Sequence, residues 1–124
     1  PYHVKRVTSS DLEVIDQQQP EQLSQAVSAD TASALTRMME AVVRSGTGTA
    51  AQINGVTVAG KTGTAQHGVG LAPHAWFTGF APADNPKVAV AVVVEDGGSV
   101  GNEAVGGRVA APIAKAVMQA VLGS

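Results

Sequence analysis

Cysteine is absent from the 124 residues, which excludes disulfides, thiolate metal sites and cysteine nucleophiles and leaves the redox compartment open. Aromatic residues are scarce at 3% of the chain, so a core has to be assembled chiefly from Ala and Val. Charge is sparse as well. With 15% charged residues and a net charge of −2, there is no basic footprint for nucleic acid or an acidic membrane surface. Long apolar runs are missing: the longest, Val88 to Val94, falls far short of the ~18 residues that a membrane helix needs, and no signal-peptide pattern is present. What remains is small and apolar. Hydrophobic residues make up 44%, too many for intrinsic disorder, and a chain this long buries roughly two-thirds of its unfolded surface, enough for a core in one domain at most. The chain opens on Pro1 rather than Met, so a preceding segment is expected.

Along the chain, residues 1–27 read as an extended or loop lead-in, with Pro20 closing the polar stretch over 1–19. A helix is predicted from Thr31 to Arg44, where Ala32, Leu35, Met38 or Met39, and Val42 or Val43 recur at helical spacing. Ser28 or Asp30 caps its start and Gly46 is placed for a left-handed C-cap. The two methionines are expected in the core. Asn54-Gly55, set between Ala51–Ile53 and Val56–Val58, predicts a β-hairpin whose second arm continues through Lys61 to Ala65. His67 to Pro73 is Gly-rich and irregular. His74 to Ala81 and Lys87 to Glu95 read as strands, the second apolar enough to be covered on both faces. Gly97 to Gly107 forms a loop, and a final helix runs from Arg108 to Leu122, where Pro112 is tolerable only near the first turns. The order implies an α+β fold: an antiparallel sheet of about three strands after the hairpin, packed with helices. Two helices are few for covering both faces of that sheet, so the chain reads as part of a larger domain.

Three catalytic patterns overlap. Gly55 to Thr62 satisfies the phosphate-loop pattern G-x-x-x-x-G-K-[ST]. That loop needs a helix beginning at its Lys, whereas Val56, Thr57 and Val58 favour extended chain and Gly63, Gly68, Gly70 and Pro73 follow. Gly97-Gly98-Ser99-Val100-Gly101 matches a nucleophile elbow, but the elbow order is Ser, acid, His, and His3, His67 and His74 all precede Ser99. The third pattern is Lys61-Thr62-Gly63-Thr64. On an extended strand lining a cleft, Lys61 supplies a positive charge, the Thr62 and Thr64 hydroxyls donate to a carboxylate, and Gly63 lets a substrate backbone pair in strand fashion. The Thr64 N–H is placed to face a developing oxyanion. Such a set suits a peptide with a free C-terminal carboxylate.

At these residues the chain resembles the transpeptidase domain of high-molecular-mass penicillin-binding proteins, nearest to actinobacterial class B enzymes. Val58 to Gln66 is similar to their active-site border strand, His74 to Pro82 and Pro86 to Glu95 to the next two strands, and Met38 to Ala50 to the helix and loop before the motif. Ala110 to Ile113 lies in a similar terminal helix. The resemblance implies a penicillin-binding/β-lactamase-like fold and peptidoglycan D,D-transpeptidation, in which a serine attacks the penultimate D-alanine carbonyl of a stem peptide and β-lactams acylate the same serine. It assigns catalytic roles to Lys61, supporting the proton network, and to Thr64, through its N–H. Substrate binding falls to Lys61, Thr62, Gly63 and Thr64. The implied partners are the peptidoglycan stem peptide and β-lactam antibiotics, with no cofactor, on the extracytoplasmic face of the cell membrane.

One departure matters. The family also uses S-x-x-K and S-x-N, yet none of the serines at 9, 10, 24, 28, 33, 45, 99 and 124 is followed by Lys three residues on or Asn two residues on. Residues 1–124 are therefore expected to be the C-terminal part of one transpeptidase domain, inactive alone and completed by an N-terminal fragment carrying the nucleophile. The competing readings are a non-catalytic module that senses β-lactams or muropeptides and a secreted serine β-lactamase, with a phosphate-loop nucleotidase as an outsider. Trp76, Phe77 and Phe80 are expected in the strand core rather than in a ligand-facing wall. His67 and His74 show no partner at metal spacing, so no metal site is expected, and Glu95-Asp96 reads as a solvated turn.

Overall fold

The computed structural model describes residues 3–19 and 21–123, so Pro1, Pro20 and Ser124, named above, lie outside it. The leading segment is extended and partly paired: β1 (Arg6–Thr8) and β2 (Val14–Gln17) form an exposed antiparallel hairpin. Helix α1 (Ala29–Ser45) follows, its first turn held by the Ser28 side chain, which accepts from the Thr31 N–H. Three further strands, β3 (Ala59–Ala65), β4 (His74–Ala81) and β5 (Val88–Val94), form an antiparallel sheet in the order β3-β4-β5. Helix α2 (Gly106–Leu122) closes the chain, and Gly123 at φ 71° ends it in the left-handed region. This is the α+β architecture the sequence predicts.

Alternation along β4 builds the core. Ala75, Phe77 and Ala81 are buried, and Phe77 packs in one cluster with Val43 of α1 and Ala110, Ala111, Ala114 and Met118 of α2. Phe77 and Met118 are the largest side chains fully removed from water, each worth about 1.5–3 kcal/mol of transfer free energy. Most of the other buried residues are alanines, so the helix lies close to the sheet and few aromatics are needed.

Four local expectations are corrected. The Asn54-Gly55 turn exists, with Gly55 at φ 76°, but it carries a single bridge between Ile53 and Val56. A 3-10 turn over Thr49–Ala51 leads into its first arm, where Gln52 is extended and donates its side-chain amide to the Val43 and Arg44 carbonyls, tying that arm to the end of α1. Gly46 is not left-handed: its φ is −105°, and glycine is needed there because a Cβ would stand 2.9 Å from the Val42 carbonyl oxygen. Helix α2 starts at Gly106, two residues before the predicted start, and Pro112 lies in its second turn. Finally, the sheet is covered on one face among the described residues. Trp76 is 43% and Val93 42% exposed, and Met38, expected inside, is 64% exposed on α1.

Candidate functional site

Residues Lys61 to Thr64 lie within β3, the edge strand of the sheet. Their register is fixed by β4, with Lys61 opposite Thr78, Thr62 opposite Phe77, Gly63 opposite Trp76 and Thr64 opposite Ala75. Directly opposed residues share a face, so Thr62 and Thr64 turn toward the side that α2 covers, while Lys61 and Gly63 turn to the open side. No helix begins at Lys61, since β3 runs on to Ala65. A phosphate loop is thereby excluded at Gly55 to Thr62. Ser99 is exposed in an irregular segment, and no hydrogen bond of its side chain is present among the described residues, so Gly97 to Gly101 is a loop without a nucleophile elbow's supporting contacts.

A groove of about 600 Å³ opens along β3, with Thr47, Lys61, Thr62, Gly63 and Thr64 on one side and residues 105–108 on the other. The far wall is the start of α2. Gly106 and Gly107 are there by necessity of approach: a Cβ on Gly106 would stand 2.0 Å from the Trp76 carbonyl oxygen and 2.7 Å from that of Gly63, and a Cβ on Gly107 would stand 2.0 Å from the Thr47 carbonyl oxygen. Two glycines let the helix end seat directly on the strand backbone. No side chain caps that end, so its N–H groups and the positive end of the helix dipole border the groove.

The hydroxyls of Thr62 and Thr47 are 2.6 Å apart and hydrogen-bonded. Thr47 thus orients Thr62, a contact the sequence offers only as a Thr in the Gly46-Thr47-Gly48 loop. Lys61 is exposed, and its Nζ donates to the Thr62 carbonyl across the strand edge. At the far wall, Arg108 Nη1 lies 3.5 Å from Glu103 Oε2, an exposed pair of little energetic weight. The structure therefore brings together three threonine hydroxyls, a helix N-terminus and two cationic side chains around one open strand edge. These groups complement an anion on an extended ligand.

Two expectations about aromatic and histidine residues change. Phe77 is core, as the strand pattern predicts, but Trp76 stands on the open face, where the absent side chain of Gly63 leaves room: a Cβ there would meet Trp76 Cβ at 3.2 Å. His67 and His74 do have a partner at metal spacing. It is Asp96, reached because β5 returns its end beside the start of β4, with Asp96 Oδ1 3.0 Å from His67 Nε2.

The family model for the penicillin-binding protein transpeptidase domain matches residues 1–119. The chain is 47% identical to peptidoglycan D,D-transpeptidase PbpA of Mycolicibacterium smegmatis and 44% identical to PbpA of Mycobacterium tuberculosis, over 98% of this chain and 25% of each relative. Among solved structures, it matches the ceftriaxone acyl-enzyme complex of penicillin-binding protein A from M. tuberculosis with a TM-score of 0.87 and 43% identity, covering 98% of this chain and 28% of that one. The transpeptidase domain of a D,D-transpeptidase from Legionella pneumophila matches with a TM-score of 0.69 and 36% identity, over 77% of this chain and 37% of that one. The chain spans about a quarter of the length of its curated PbpA relatives. The edge strand, its groove and these likenesses lead to one conclusion: the chain belongs to the penicillin-binding protein transpeptidase domain family.

Proposed function

We propose that the whole protein carrying this chain is a peptidoglycan D,D-transpeptidase, in which residues 1–124 are the C-terminal part of the catalytic domain and supply the substrate strand. The observation that carries this reading is the open edge of β3 at Lys61 to Thr64, bordered by the Thr62 and Thr64 hydroxyls and the uncapped start of α2. A stem peptide lies along that edge and pairs in strand fashion. Its terminal carboxylate, or the carboxylate of a β-lactam, is held by the Thr62 and Thr64 hydroxyls, with Thr47 fixing the Thr62 rotor. Lys61 releases the Thr62 carbonyl and joins the proton network of the reacting serine, while the Thr64 N–H stabilises the oxyanion that forms at the attacked carbonyl.

The nucleophile comes from outside residues 1–124, since no serine here stands in S-x-x-K or S-x-N. An N-terminal portion of the same protein supplies it, and residues 1–124 alone do not acylate. Peptidoglycan chemistry places the domain on the extracytoplasmic face of the membrane. Among the described residues no helix is long and apolar enough to cross a membrane.

The test is intact-mass and peptide-level mass spectrometry of the whole protein after incubation with a penicillin. One adduct is expected, on a peptide outside 1–124. An adduct on a serine within 1–124 overturns the assignment of this chain as the binding part, and no adduct at all favours a module without acyl chemistry. Rapid hydrolysis of the adduct, with free penicilloate accumulating, would assign a β-lactamase instead.

A further inference from the structure

We propose that His67, His74 and Asp96 form a binding site for a divalent transition metal of the Zn²⁺, Co²⁺ or Ni²⁺ class, which ties the segment after β3 to the end of β5. One donor atom from each of the three lies within 4.8 Å of the others. Asp96 is the hub, with its Oδ1 3.0 Å from His67 Nε2 and 4.0 Å from His74 Nδ1. Tetrahedral ligands on ~2.0–2.2 Å bonds stand roughly 3.3 Å apart, so these separations bracket what one ion requires. Two imidazoles and one carboxylate leave a fourth position for water and select a borderline transition metal over Ca²⁺ or Mg²⁺, which prefer all-oxygen sets.

In the metal-free state the hydrogen bonds hold one nitrogen of each ring beside Asp96. His74 Nδ1 accepts the Asp96 N–H at 3.0 Å, so its proton is on Nε2 and its one lone pair faces Asp96; on loading the ion takes that lone pair and the Asp96 N–H turns to water. His67 Nε2 is 2.9 Å from the Ala72 carbonyl and 3.0 Å from Asp96 Oδ1. Both neighbours are acceptors, so the proton sits on Nε2. Loading replaces that proton with the ion, and the proton passes through water to His67 Nδ1, with no net release. Asp96 itself is held at φ 50°, a left-handed conformation that glycine adopts at least cost and that places the carboxylate beside both rings.

The metal-free geometry also sets what must move. The rings are stacked with centroids 3.8 Å apart and planes 7° apart, and a ligated ion has to lie in the plane of each imidazole. Two parallel rings cannot share one ion, so one ring leaves the stack on loading. His67 is the one, because it lies in the exposed segment before Gly68 and Gly70, while His74 is fixed in β4. This site is separate from the groove at Lys61 to Thr64 and does not depend on the transpeptidase reading.

The experiment titrates the whole protein, freed of metal with a chelator, with Co²⁺ followed by its visible d–d absorption, then displaces Co²⁺ with Zn²⁺. One equivalent is expected to bind, and both His67→Ala and Asp96→Asn are expected to weaken it by about tenfold or more, while the unfolding midpoint in chelator stays at the parent value. NMR of the imidazole protons should show the ring-current shifts of the stacked pair lost on adding Zn²⁺. The site is overturned if no Co²⁺ binds, if affinity is unchanged in both variants, or if His3→Gln abolishes binding while His67→Ala does not.

Discussion

At the scale of single residues, the groove depends on close contacts between few atoms. In the proposed site the Thr62 hydroxyl meets a carboxylate in one orientation, and Thr47, 2.6 Å away, sets it. A hydrogen bond to a charged group is worth about 1.5–3 kcal/mol. Thr62→Val in the whole protein should therefore slow acylation by a penicillin roughly tenfold to a hundredfold, with Thr47→Val slowing it less, as read with a fluorescent penicillin at several concentrations. Equal, negligible effects in both variants would remove these hydroxyls from carboxylate binding. Gly107→Ala tests the seat of α2. Its new Cβ would stand 2.0 Å from the Thr47 carbonyl oxygen, an overpacking that costs about 1–3 kcal/mol and should lower the denaturant midpoint of unfolding. That Lys61 to Thr64 lie on a strand is legible in the sequence because the strand signal is local. The placements of Thr47 beside Thr62 and of Asp96 beside His74 are not, because each depends on backbone brought together across a long separation: Thr47 meets a residue 15 positions on, and Asp96 one 22 positions back.

At the scale of elements, strands are more legible in the sequence than turns. The predicted strand from His74 to Ala81 matches β4 residue for residue, because apolar alternation sets its interior and Pro73 and Pro82 bound it. Helix α1 is legible from its cap and spacing, yet its apolar stripe does not fix burial: Val43 is buried while Leu35 is 48% exposed. Periodicity tells which residues share a face; it does not tell what covers that face. The hairpin at Asn54-Gly55 keeps its turn but pairs through one bridge only, because a 3-10 turn precedes its first arm and the Gln52 side chain ties that arm to the end of α1. Phe77 carries the element-scale prediction. It is fully buried where β4 meets both helices, so Phe77→Ala should destabilise the whole protein by about 3–5 kcal/mol, measured by chemical unfolding. A loss near zero would mean that the sheet and helices are held together elsewhere.

At the scale of the whole molecule, the sheet has two faces with different fates. Both helices pack on the face that carries Phe77, and the other presents Trp76 and Val93 to solvent. On α1, Leu35 and Met38 are exposed as well. The curated PbpA relatives are about four times as long as the part this chain spans, and we infer that chain outside residues 1–124 covers the open face and carries the nucleophile to the groove. That inference predicts a change of sign. In the isolated 124-residue chain, Trp76→Ser combined with Val93→Thr removes exposed apolar surface, so binding of a hydrophobic dye and self-association should fall. In the whole protein the same pair would open a covered interface, and replacing a buried Trp costs about 3 kcal/mol or more, so the unfolding midpoint should drop. If the pair is neutral in the whole protein, the open face of the sheet is solvated there too, and the nucleophile must reach the groove from the β3 edge alone.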